Sequence, residues 1–277
     1  MSSIGQENLV SGMPRVVATT PRRTGRRVRI PERWLGAVVP AAGLVLWEVL
    51  SRAGIFPPNI LPAPTAVART IYDLAATGDL WRHIGITLWR IAVGFALGAT
   101  VGTLLGGLTG YVALARRLFD PLLQSLRNIP SMAWVPLFLL WLGIQESSKI
   151  GLIALGAFFP VYLNLTSGML HVDAKLVEVG RVYRLSGLQM IRRIILPAAL
   201  PAYLVGLRSG LGLAWMFVVA AEIMGASRGL GFLMIDGQMT GRPSIILASV
   251  MLFALLGKAT DWVVETIGNR FLRYRSR

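Results

Sequence analysis

Apolar runs recur along the chain, separated by short stretches that carry most of its charged positions. A helix needs about 20 apolar residues to cross a hydrocarbon core of about 30 Å. The pattern predicts six such spans, at roughly 34–53, 86–111, 120–142, 149–170, 198–221 and 244–267. Between the first two, residues 57–64 (PPNILPAP) read as an extended proline-rich segment. Thr65 to Thr77 then reads as a short amphipathic helix, with Val67, Ile71 and Leu74 on one face. Residues 1–31 are basic, polar and interrupted by Pro14, Pro21 and Pro31. They offer no core and read as a disordered tail, leaving 32–277 as one membrane domain.

Composition agrees. The chain is 54% hydrophobic and 15% charged, with a mean hydropathy of +0.61, rare for a soluble domain. A formal net charge of +15 could signal nucleic acid. Its placement along the chain points instead to lipid topology. Arg15, Arg22, Arg23, Arg26, Arg27, Arg29 and Arg33 share a side with Arg116, Arg117, Lys175, Arg181, Arg184, Arg192, Arg193, Arg270, Arg273, Arg275 and Arg277. The opposite side holds Arg52, Arg69, Arg82, Arg90, Lys149, Arg228 and Arg242. The bias puts both termini and the 172–197 loop in the cytoplasm, with membrane lipid and no nucleic acid as partner. The first apolar run is too long for a signal-peptide core and lacks an A-x-A site, so it reads as a retained anchor. With no Cys and only His83 and His171, disulfides, thiolate chemistry and multi-His metal sites are excluded, and no cofactor or metal is expected.

Inside the spans, Gly94, Gly98, Gly102, Gly106 and Gly110 fall every fourth residue and mark a face for close helix packing. Pro130 and Pro136 each remove a backbone donor, so the third span should kink or break. Carbonyls freed there must face protein or water. Arg127, Asn128 and Pro130 are therefore pathway candidates, with simple kinking as the other reading. Glu48, Arg127, Arg208, Glu222, Lys258 and Asp261 fall in or at the ends of spans and should face protein or water. Lys258 and Asp261 can pair along one helix. Arg208 either meets an anionic solute or pairs with Glu222 or Glu48. Glu222 reads as a gate or a helix cap.

The loop between spans four and five reads as helix, turn, helix. Asp173 can N-cap the first helix, with Leu176, Val179 and Tyr183 on one face. Ser186 and Gln189 match a capping box for a second helix opening at Gly187, with Leu188, Ile191 and Ile195 as its stripe. Pro197 ends the unit and starts span five. Such a pair either docks a partner or lies on anionic lipid.

Glu178, then Ile194, Leu196 and Pro197, has the spacing of the signature E-A-A-x₃-G-x₉-I-x-L-P. Further matching strings are Ile60-Leu61-Pro62-Ala63-Pro64, Leu126-Arg127-Asn128-Ile129-Pro130, Trp141-Leu142-Gly143-Ile144, Glu146-Ser147-Ser148-Lys149-Ile150 and Leu211-Gly212-Leu213-Ala214-Trp215. On these the chain resembles the permease subunits of binding-protein-dependent ABC importers, in the sulfonate, taurine and nitrate branch. The resemblance implies an all-α integral membrane fold of the type I importer kind, with six helices per subunit. It implies a second permease subunit, a cytoplasmic ABC ATPase dimer gripping the 172–197 loop, and an extracytoplasmic solute-binding protein. Coupling would then fall to Glu178, Gly180, Arg184, Gly187, Ile194, Leu196 and Pro197. Gly180 stands where Ala is usual and Arg184 where Gly is usual; a left-handed turn at Arg184 costs about 1 kcal/mol.

The chain has no G-x₄-G-K-[ST]; Gly257-Lys258-Ala259 lacks both the upstream glycines and the hydroxyl. Nucleotide hydrolysis therefore belongs to a separate subunit. Rival readings are the same transporter class for taurine, nitrate or a heterocyclic nutrient, a membrane enzyme acting on lipid-linked substrates, and a scaffold without a pathway. The enzyme reading needs clustered carboxylates, but Asp120, Asp173, Glu178, Glu222 and Asp236 are spread over both faces.

Overall fold

The computed structural model describes residues 32–273. The expected tail at 1–31 and the C-terminal end lie outside the described residues. The chain forms two compact units, Met1–Val45 and Leu46–Arg277. In the first, the described residues are helical and expose Val38, Val39, Leu44 and Val45. They belong to α1 (Glu32–Arg52). All other elements lie in the second unit: α2 (Pro64–Ala76), α3 (Asp79–Tyr111), α4 (Ala113–Arg127), α5 (Ser131–Leu142), α6 (Glu146–Leu170), α7 (Ala174–Val182), α8 (Gly187–Met190), a π turn (Ile191–Ile195), α9 (Leu196–Ile223), α10 (Leu230–Met239) and α11 (Pro243–Arg273).

The described residues are helical and loop throughout. Four stretches are long and apolar enough to cross a membrane: Asp79–Tyr111, Glu146–Leu170, Gly187–Ile223 and Pro243–Arg270. The span expected over 120–142 is not one helix. Pro130 cannot donate and drives Ile129 out of helical geometry, so the chain breaks between α4 and α5. α5 alone has 12 residues, too few to cross. Pro136 stays within α5 without interrupting it.

α6 is the central element, flanked by α3 and α9. The predicted glycine face of α3 lies directly on it. A Cβ at Gly94 would stand 2.6 Å from Ile153, one at Gly102 2.9 Å from the Phe158 carbonyl, and one at Gly110 2.9 Å from Met169; at Gly98 it would collide with the Ala154 carbonyl. On the α9 side, a Cβ at Gly210 would stand 2.9 Å from the Ala157 carbonyl. Ile91, Ile153, Ala157, Leu211, Ala214 and Val218 fill the core of this three-helix slab. Near one end, Leu80, Leu230, Leu233, Ile245 and Leu252 form a second cluster. Val67 of α2 is fully buried, and Ile71 and Leu74 pack on that cluster, as the amphipathic pattern predicts. α10 falls between the last two predicted spans and was not anticipated.

Gly98→Ala should destabilise the protein by about 1–3 kcal/mol, since its methyl meets backbone that cannot move aside. Gly107→Ala, where a Cβ meets nothing within 4 Å, should be neutral or slightly stabilising. Unfolding midpoints in detergent micelles measure both.

Candidate functional site

The 172–197 loop forms as its sequence dictates. The Asp173 carboxylate accepts from the Lys175 N–H at 2.9 Å and starts α7. The capping box closes in both directions, with the Ser186 N–H donating to Gln189 Oε1 at 2.9 Å and the Gln189 N–H to Ser186 Oγ at 3.4 Å. Between the helices, Arg184 adopts φ 51°, the one non-glycine residue with positive φ among those described. The Leu185 N–H donates to the Gly180 carbonyl at 3.0 Å and the Arg184 N–H to the Arg181 carbonyl at 2.9 Å. This is a Schellman turn with arginine in the place glycine usually takes. Gly180 is buried beneath Met190 and Ile194, where even a methyl group would stand 2.6 Å from Ile194 Cδ1. Gly187 rests on the Tyr111 hydroxyl at the end of α3.

One expectation changes. Pro197 does not separate the second loop helix from span five. Proline removes a donor and clashes with the preceding turn. Here the π turn widens the register, the Leu196 N–H reaching the Ile191 carbonyl five residues back. Gly187 to Ile223 is therefore one continuous helix. The outward face of α7 and the turn carries Leu176, Val179, Val182, Tyr183 and Leu188, all exposed, with Glu178 exposed beside them.

At the opposite end lies a buried ionic clamp. Glu222, 1% exposed, accepts from Arg90 Nη1 at 2.8 Å, Thr87 Oγ1 at 2.8 Å and the Gly231 N–H at 2.8 Å. Arg90, also 1% exposed, donates through Nε and Nη2 to Glu146 at 2.7 and 2.6 Å, and through Nη1 to the Arg228 carbonyl at 2.7 Å. The Gly229 N–H donates to His83 Nδ1 at 3.0 Å. Gly229 has φ 123°, and a Cβ there would strike the Glu222 carboxyl. Glu222 thus caps α10 and ties α9 to α3, while Arg90 extends the tie to α6. Sequence reasoning counted Arg90 on the side opposite the termini and missed this role. The available signal was its position inside the predicted 86–111 span, where a cation must be paired.

The other predicted pathway residues are not brought together. Arg208 pairs with neither Glu222 nor Glu48. It donates to Asp261 through Nε and Nη2, both at 2.9 Å, and lies 3.1 Å from Glu265, both on α11. Lys258 joins Asp261 at 3.7 Å, as its spacing predicts. Two carboxylates offset these two cations, so Arg208 is not a free positive charge. Glu48 pairs with Arg52 and accepts from the Thr65 N–H and hydroxyl. Arg127 and Asn128 end α4 and Pro130 precedes α5, away from both clusters. Arg127 lines a cavity of about 150 Å³ with residues of α5, α6 and α9.

Comparison with known proteins places this geometry. The model of the family described as "Binding-protein-dependent transport system inner membrane component" matches residues 98–273. The chain is 40% identical to a Bacillus subtilis (strain 168) protein named as an aliphatic sulfonates transport permease, SsuC, over 95% of each chain. It is 38% identical to the Escherichia coli (strain K12) protein of that name, over 88% of this chain and 94% of the other. Among solved structures, a chain of the MetNI methionine ABC transporter in inward-facing conformations aligns with a TM-score of 0.50 at 20% identity, covering 73% of this chain and 96% of that one. At that identity the likeness concerns the fold alone.

Arg90→Met should cost about 3–5 kcal/mol, because Glu222 is left buried without its cation. Joint replacement of Arg90 and Glu222 by Met should cost less than the two single changes summed. Arg184→Gly should gain up to about 1 kcal/mol by relieving the left-handed residue. Thermal unfolding of the purified variants reads all three.

Proposed function

The chain belongs to the family of binding-protein-dependent transport system inner membrane components, and on that premise we propose that it is the permease subunit of an ABC importer for aliphatic sulfonates. Its likeness to two sulfonate permeases over nearly its whole length carries this reading. Two copies would enclose a path across the inner membrane. Counting α1 and the α4–α5 pair as crossings gives six, with both termini and the 172–197 loop in the cytoplasm.

The exposed apolar face of α7 and the turn supports docking of an ATPase subunit. Burying such a face offsets the cost of association. Glu178 stands among these residues as the acidic contact. Gly180, Arg184, Gly187, Ile194, Leu196 and Pro197 shape the turn and its junction with α9. A shift imposed on α7 would pass through the turn into one unbroken helix leading to the clamp at Glu222. Nucleotide binding and hydrolysis fall to the partner, and a solute-binding protein delivers cargo on the other side. This chain's part is alternating access, with no bond made or broken. Taurine, nitrate or a heterocyclic nutrient remain the competing cargoes.

Glu178→Lys should abolish uptake while the protein stays in the membrane at its usual level, and it should no longer co-purify the ATPase. Normal sulfonate uptake by that variant would remove the docking role.

A further inference from the structure

The break between α4 and α5 opens the cavity beside Arg127. Its wall is apolar and aromatic, with Trp134 of α5, Phe159 of α6 and Met216 and Phe217 of α9, and Ser131 adds a hydroxyl. Phe159 lies near the middle of α6, a helix long and apolar enough to cross a membrane, so the cavity stands about midway along that candidate span. The ionic clusters above are internally satisfied, but Arg127 makes no ion pair or hydrogen bond through its side chain with any described residue. It is also exposed. An unpaired cation at this depth is expensive and calls for an anion or water. None of the described residues lining the cavity is acidic.

We propose that this cavity is a transient cargo site within the permease, in which the Arg127 guanidinium holds the anionic head of an alkylsulfonate and the aromatic wall receives its alkyl tail. The inference rests on the permease reading and deepens it. A guanidinium presents paired donors that match the oxygens of a sulfonate. The wall rewards a tail by apolar burial, roughly fourfold in affinity per methylene until the cavity is full. Two related solutes are disfavoured by the same chemistry. A bare inorganic anion leaves the wall unfilled. An aminosulfonate brings an ammonium group that no carboxylate in the cavity can compensate. The permease would then add its own selection to that of the binding protein.

The test is binding of radiolabelled butanesulfonate to the permease–ATPase complex in lipid nanodiscs, with binding protein omitted. The site predicts saturable binding, displaced increasingly well by ethane-, butane- and hexanesulfonate, and hardly at all by sulfate or taurine at equal concentration. Arg127→Gln should weaken binding about tenfold or more. Arg127→Lys should retain part of the affinity, and Trp134→Ala should flatten the chain-length series. Absence of saturable binding, displacement by sulfate as strong as by butanesulfonate, or an Arg127→Gln variant that binds normally would overturn the site. A parallel uptake assay with binding protein and ATP separates the two claims. If the native complex transports butanesulfonate while the binding arm fails, the cargo site falls and the permease reading stands. If the native complex neither assembles nor transports, the permease reading falls and the site with it.

Discussion

The fold depends on how closely α3 and α9 approach α6. In lipid, apolar side chains gain little by leaving one surface for another, so helices associate through close packing and hydrogen bonds. Five glycines on α3 let its backbone lie on Ile153, Ala154, Phe158, Tyr162 and Met169, while Gly206 and Gly210 of α9 do the same on the other flank. Thr109 adds a hydrogen bond to Thr166 across the first seam at 3.1 Å. The remaining second-unit elements attach to this slab, as α4 does through Leu123 against Phe158 and Tyr162.

Polar groups set the character of the two ends. At one, the buried pair Arg90 and Glu222, with the half-exposed Glu146, ties α3, α6, α9 and α10 into an ionic knot that resists separation. At the other, α9 continues without a break through the π turn into α8, and α7 turns back over it with its apolar face bare. Between the ends, the α4–α5 break leaves Arg127, without a side-chain partner among the described residues, beside an aromatic wall. An interrupted helix near mid-membrane is a recurrent way of placing polar groups where lipid would not tolerate them.

Much of the 172–197 loop was legible because its signals are local. Asp173 caps two residues on, Ser186 and Gln189 cap each other three apart, and the left-handed turn at Arg184 falls where the signature calls for glycine. The glycine face and the face of α2 follow from helical period alone. Errors arose where a sequence pattern had two outcomes. The apolar run at 120–142 has the length of a span, but Pro130 divides it. Pro197 has the look of a boundary, but the π turn absorbs it.

The sequence by itself determined four of the long apolar helices, the smooth face of α3 and the caps of α7 and α8, because these depend on residues within about a turn of each other. Tertiary structure decided which charges meet. Arg208 found Asp261 at a separation of 53 residues, not Glu222 or Glu48, and Glu222 found Arg90 at 132. Those partners follow from how rigid helices stack, and a charge buried in lipid accepts whichever counter-charge that stacking brings within reach.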